Sequence, residues 1–243
     1  MLHSTLKKTL LILSLLLIRT EAIADNSVTI TQVGDNNIMS IDIQGDDNNF
    51  TTDQETDGST MDLDSQGDDN TVVAKQACSA NTCNADTVVM DVIGNGNTMN
   101  LGQGYKISQS GNWTYDSQEY GGHDMDLYVS GDDNSITLSQ RSNNNISDHS
   151  MDINIYSDNN SVHIMQEQNV DKTLALTINN DANDVSIHQR KSHGHTATVT
   201  LSGSYGTDLD LQQGTNNTTQ ALSYNLTQNC QTVGGCSVSV DQE

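Results

Sequence analysis

The chain has no proline, one phenylalanine and one tryptophan, and only 33% of its 243 residues are hydrophobic. An ordinary globular core is hard to build from such a composition. Basic residues are also scarce, 9 Lys and Arg against 32 Asp and Glu, for a formal net charge of -23. A surface this acidic disfavours nucleic-acid phosphates and anionic lipid headgroups. No Ser/His/Asp triad signature, phosphate loop or metalloenzyme motif is present, so neither an enzyme nor a cofactor is expected. Low hydrophobicity with high net charge would by itself indicate disorder. The order of the residues argues otherwise.

Residues 1–24 read as a secretory signal peptide and 25–243 as the folded part. Lys7 and Lys8 give a positive start, Leu10 to Ile18 a short apolar stretch, and Ala22-Ile23-Ala24 a small-x-small cleavage site before Asp25. The apolar stretch is too short to span a bilayer, which sets the signal reading above an uncleaved anchor, and no later stretch is apolar enough to span one.

One template recurs: apolar-x-apolar-x-apolar, a four-residue turn, then Asn-x-apolar-x-apolar-x-Gln. The clearest copy is Met151, Ile153, Ile155, Asn160, Val162, Ile164, Gln166. The next is Leu174, Leu176, Ile178, Asn183, Val185, Ile187, Gln189. The closing glutamines are Gln32, Gln54, Gln76, Gln103, Gln118, Gln140, Gln166, Gln189, Gln213 and Gln242. The asparagine position holds Asn26, Asn48, Asn70, Asn97, Asn112, Asn134, Asn160 and Asn183, then Thr207 and Cys236. Alternation with period two is the mark of a strand with one buried face. The turns between are rich in Gly, Asp and Asn, which tolerate tight-turn backbone angles. Asn26 to Gln32 is the second half of a copy whose first half is missing.

A strand-turn-strand unit cannot bury its single apolar face alone, whereas stacked copies can. The expected fold is therefore all-β: a β-solenoid of about nine coils of roughly 22–26 residues. Stacking in register sets like upon like, so the Gln and Asn positions become ladders at a strand spacing of roughly 4.8 Å. A buried amide without a partner would cost about 1–3 kcal/mol; a laddered one is satisfied. The array is uneven. The copy closing at Gln118 is short, with polar Thr114 and Asp116 inward and Trp113 and Tyr115 outward, as in a defect coil or a bulge.

The cysteines form two close pairs, Cys78/Cys83 and Cys230/Cys236, each flanking an insertion. In an exported protein they read as two loop-closing disulfides rather than a zinc site, since neither pair has further ligands at zinc spacing. Asp46, Asp47, Asp68, Asp69, Asp132 and Asp133 stack into an acidic edge. Calcium is a weak candidate there, against the plainer reading of a solvated edge that keeps the chain soluble. His163 and His188 fall on outward positions; His193 and His195 lie in one turn, as a solvent-facing loop or, less well supported, a surface metal site.

The motif Ile30-Thr31-Gln32-Val33-Gly34-Asp35-Asn36-Asn37, with a contracted form at Ile107-Ser108-Gln109-Ser110-Gly111-Asn112, resembles the repeat of curlins, the subunits of curli fibres. The resemblance covers nearly all of Asp25 to Glu243. It implies a secreted subunit that polymerises by strand addition and scaffolds biofilm and adhesion at the surface of a Gram-negative cell. The laddered Gln and Asn rows named above would drive assembly. The implied partners are further copies of the chain, a second curlin-like subunit and an outer-membrane secretion channel, with no nucleic acid and no membrane span. The chain departs from that family in its number of copies, its larger inward side chains, its four cysteines, its many aspartates and the lack of a Gly-rich leader after Ala24. The alternatives are a monomeric secreted adhesin and a calcium-binding β-solenoid that does not polymerise.

Overall fold

A computed structural model of the protein describes residues 26–32, 38–54, 60–76, 86–94, 97–103, 106–107, 113–114, 123–131, 134–141, 149–156, 160–167, 171–179, 183–191, 194–203, 207–214, 222–230 and 236–243. Residues 1–25, and with them the signal-peptide reading, lie outside this set. Every regular element is a strand. In chain order they are β1 (Ile30–Gln32), β2 (Ile38–Gln44), β3 (Thr52–Gln54), β4 (Thr60–Gln66), β5 (Thr71–Gln76), β6 (Asp86–Ile93) and β7 (Thr98–Gln103). There follow β8 (Lys106–Ile107), β9 (Trp113–Thr114), β10 (His123–Ser130), β11 (Ser135–Arg141), β12 (His149–Tyr156) and β13 (Ser161–Glu167). The chain closes with β14 (Lys172–Asn179), β15 (Asn183–Gln189), β16 (His195–Gly203), β17 (Thr207–Gln213), β18 (Leu222–Cys230) and β19 (Ser237–Gln242).

Two parallel sheets face each other. One has nine strands in the order β1-β3-β5-β7-β11-β13-β15-β17-β19; the other has eight, β18-β16-β14-β12-β10-β6-β4-β2. The chain alternates between them, so each half of the sequence template feeds its own sheet, and the result is a β-solenoid. Parallel strands need such a crossover, and here the other sheet supplies it. The core lies between the sheets. Met61, Leu63, Met90, Leu127, Ile153, Leu176 and Val199 from the eight-stranded sheet meet Val72, Leu101, Leu138, Ile164, Ile187 and Leu211 from the other, all buried. Each such side chain contributes about 1.5–3 kcal/mol of hydrophobic stabilisation. The stack distributes that gain evenly along its length.

The register repeats without slippage. Met125 stands opposite Met151, Leu127 opposite Ile153 and Val129 opposite Ile155. A slip of one residue would turn every buried side chain to solvent, which is why the alternation fixes the pairing. Glycines set the corner after β2, β4, β6 and β10. A Cβ on Gly67 would lie 1.7 Å from the Gly45 carbonyl oxygen, on Gly94 1.5 Å from that of Gly67, and on Gly131 1.6 Å from that of Gly94. The backbones bond at the same place, Gly45 N donating to Gln66 O at 2.9 Å and Gly67 N to Ile93 O at 3.0 Å.

The array departs from a uniform run of about nine coils at one place. β11 pairs directly with β7, and β10 directly with β6. Of the passage between β7 and β10, the described pieces β8 and β9 form their own antiparallel pair. β7 and β11 are direct neighbours, so no further strand of this sheet stands between them; Tyr115 and Asp116, expected in a defect coil or a bulge, lie outside the described residues.

Candidate functional site: the stacked amide rows

The closing glutamines end the strands of the nine-stranded sheet and point inward. Gln54, Gln76, Gln103, Gln140, Gln166, Gln189 and Gln213 are buried. Gln32 Nε2 donates to Gln54 Oε1 at 3.4 Å, Gln54 to Gln76 at 3.2 Å and Gln76 to Gln103 at 3.4 Å. From the other end the sense is opposite: Gln242 donates to Gln213 at 2.6 Å, Gln213 to Gln189 at 2.7 Å, Gln189 to Gln166 at 2.8 Å and Gln166 to Gln140 at 2.9 Å. Gln103 and Gln140 are register partners. No described residue stands between them in the column; Gln118 and Asn112 lie outside the described residues.

The seven buried glutamines also close a corner of their coils. In each, an N–H reaches the backbone carbonyl at the start of the next strand of the facing sheet: Gln54 to Thr60 at 3.3 Å, Gln76 to Thr87 at 3.2 Å, Gln103 to Asp124 at 2.9 Å. Farther along, Gln140 donates to Ser150 at 2.8 Å, Gln166 to Thr173 at 3.0 Å, Gln189 to Thr196 at 2.9 Å and Gln213 to Ser223 at 3.0 Å. In five of them, Gln54, Gln76, Gln166, Gln189 and Gln213, one amide thus donates both to a neighbour along the stack and to a carbonyl across the corner. Few other side chains offer two donors and a two-lone-pair acceptor on a flexible stem of this length.

The asparagine row behaves similarly at the opposite corner. Asn48, Asn70, Asn97, Asn134 and Asn160 are buried. Asn70 donates to Asn48 Oδ1 at 2.5 Å, Asn97 to Asn70, and Asn134 to Asn160 at 3.1 Å. Asn48 Nδ2 also ties down the turn through Gly45 O at 2.8 Å. Asn26 precedes β1 and is half-buried; Asn183 opens β15 opposite Thr207. Ser65 was not singled out in the sequence. It takes an inward position opposite Ile43 and Val92, donates to Asn48 Oδ1 at 3.3 Å and accepts from Asn70 Nδ2 at 2.8 Å. Its place in the alternation, two residues after Leu63, was the signal for it.

Asp46, Asp47, Asp68 and Asp69 are exposed at their turns, and Asp132 and Asp133 lie outside the described residues. Among the described residues no group of three or more His, Cys, Asp or Glu could hold a metal ion. A second acidic row runs along the outer face of the eight-stranded sheet, where Asp42, Asp64 and Asp91 are in register. Partial burial, then repulsion from Asp62, Asp91 and Asp42, raises the Asp64 carboxyl above its ordinary value. Asp126 is raised likewise by burial, Asp152 and Asp91.

Cys78 and Cys83 lie outside the described residues. Cys230 ends β18, and Cys236, just before β19, is disulfide-bonded. His163 and His188 are half-buried on the outer face with ring centroids 5.4 Å apart. His195 corrects the expectation of a solvent-facing turn: it opens β16 and is fully buried, with Nε2 2.7 Å from the Lys191 carbonyl. It continues the inward period that begins at Ala197, so histidine here counts as a core position. His193 lies outside the described residues. Among the described residues no helix is long and apolar enough to cross a membrane. No protein family, curated protein or solved structure matches the chain, so its own geometry is what carries a functional reading.

Proposed function

We propose that this protein is a secreted structural subunit that polymerises end to end by strand stacking into a curli-like, amyloid-type fibre of a biofilm matrix. The observation that carries the reading is the state of the two ends. β18 and β19 are the last described strands of their sheets, and their inward side chains Tyr224, Leu226, Val238 and Val240 keep part of their surface open. Gln242 there is exposed, although it is a rung of the glutamine column. At the other end Val28 and Ile30 are only partly covered. An end with unpaired strand edges and the same rows as the interior is a template for another copy. Counted as one strand from each sheet, the described strands make eight full coils and the half-coil of β1, against the expected nine or so.

The partners on this reading are further copies, a second curlin-like subunit and an outer-membrane channel, and the site of action is the surface of a Gram-negative cell. Loop-closing pairs Cys78/Cys83 and Cys230/Cys236 belong to the same proposal. The Cys236 disulfide favours a second reading, in which that end is capped and the protein is a monomeric adhesin. The test is to incubate the chain from Asp25 to Glu243 and follow amyloid-dye fluorescence, electron micrographs and seeding. Seeded growth of unbranched fibres is expected; a chain that stays monomeric at every concentration, with and without seeds, overturns the proposal.

A further inference from the structure

In a chain with so few basic residues, four bases share one buried column. His123, His149, Lys172 and His195 open β10, β12, β14 and β16, and all four are buried. Their register is continuous: His149 stands opposite Lys172, and Lys172 opposite His195. The His123 and His149 rings lie 5.3 Å apart, tilted by 44°. Both ring nitrogens of His149 are buried and have no hydrogen-bond partner among the described residues. Beyond His123 the column continues to Asp86 by register, and beyond His195 to Leu222.

We propose that this column is an acid-triggered release at the middle of the stack: protonation of His149 forces apart the corner where β10, β12 and β14 meet. The physical case is one of position. A charged imidazole at His149 would lie in the dry interior between His123 and Lys172, both of which oppose its charge, and burial opposes it more strongly still. Asp171 and Glu167 act on Lys172 in the opposite sense. Among the described residues, the facing sheet brings to this corner the neutral amides of Gln140 and Gln166, committed to the carbonyls of His123, Ser150 and Thr173. Two imidazoles without a third ligand make a poor metal site. The proposal does not depend on fibre formation.

The sign follows from proton linkage. The buried imidazole binds a proton less readily than the ordinary value of 6.5 in the unfolded chain. Stability is therefore full above that value and falls as the pH drops below it. The His149 imidazole, held neutral, lowers the folding constant about tenfold per pH unit in this window. The experiment measures denaturant midpoints of the monomer from about pH 7.5 to about pH 5 for the natural chain, His149→Leu and His149→Gln. The natural chain should lose stability across that range, and both variants should lose less, by one imidazole's share. A flat profile for the natural chain, or an unchanged slope in the variants, overturns the proposal. If neither variant folds, nuclear magnetic resonance titration of His149 in the natural chain decides it: titration at or above the ordinary imidazole value overturns the proposal.

Discussion

Gln103 and Gln140 stand opposite each other in adjacent parallel strands, although the whole excursion from β7 to β10 separates them in sequence. The donor sense of the glutamine column reverses across this pair. Gln103 accepts from Gln76 and Gln140 accepts from Gln166, while their own N–H groups turn to backbone carbonyls of the facing sheet. Gln140 donates twice, to His123 O at 3.0 Å and to Ser150 O at 2.8 Å. It therefore holds both flanks of the joint.

The first expectation concerns that joint. Gln140→Leu keeps the volume but strands the Gln166 donor and two carbonyls in a dry interior. Each buried group left unpaired costs about 1–3 kcal/mol. The substitution should destabilise the chain by roughly 3 kcal/mol or more, read as a lower denaturant midpoint. Gln32→Leu, at the half-buried end of the column, should cost well under half as much. Equal losses at the two positions would show that the column does not act through its buried hydrogen bonds.

A second expectation concerns the glycine corner. Gly94 has φ of 150° and would place a Cβ 1.5 Å from the Gly67 carbonyl oxygen. That neighbour is backbone and cannot turn aside. Gly94→Ala should cost on the order of 3 kcal/mol through strain and local displacement of the stack. Ser130→Ala, beside the same corner but carrying an ordinary Cβ, is the control and should leave the unfolding midpoint nearly unchanged.

The strands, their alternation and their two-sheet pairing were legible because apolar side chains at i and i+2 leave little choice of buried face. Met151-x-Ile153-x-Ile155 reads the same in sequence and in space. The glutamine rows were legible for a related reason, since a polar residue repeated at the end of an apolar row has to bond to its equivalents. Three features were not. The direct pairing of Gln103 with Gln140 depends on which strands close on each other across residues 104–122, and that is a long-range fact. The bases at His123, His149, Lys172 and His195 continue the inward period by one step, yet residues of this kind are normally assigned to solvent. The glycine corners depend on close backbone approach, which a motif of Gly-Asp-Asp does not reveal without the register.

The outer acidic row gives a pH effect of opposite sign to that of the buried bases. Asp64 and Asp126 have carboxyls raised above 3.8 in the fold. The folded chain binds these protons more readily than the unfolded one, so the burial of their charge, and after it their repulsion, weighs on the fold at neutral pH and is relieved as the pH falls through the raised values. Both groups face solvent, and the effect should stay below about 1 kcal/mol. Asp64→Asn should raise the thermal midpoint at neutral pH and low salt. The part of the gain that comes from repulsion should shrink with added salt, the part that comes from burial should remain, and the whole should vanish once the carboxyl is protonated. No gain at neutral pH and low salt, or a gain that survives protonation, would show that the charge on Asp64 does not weigh on the fold.

Lys172 offers the sharpest reading of what burial costs this fold. Its ammonium is pushed down from 10.5 to about 8, first by burial, with Asp171 and Glu167 pulling the other way. The unfolded chain therefore holds this proton more tightly. Below about pH 8 the ammonium is charged in both states and the penalty is complete; from about 8 towards 10.5 stability rises as the folded state sheds the proton. The register partner on β16 is followed by Leu222 in the same column, so an apolar side chain is compatible with this row. Lys172→Met should stabilise the chain at neutral pH by up to about 3 kcal/mol, the worth of the displacement in proton affinity. It should also abolish the alkaline rise. Loss of stability on substitution would mean that the attraction of Asp171 and Glu167 outweighs desolvation, and that the lysine holds the corner closed rather than straining it.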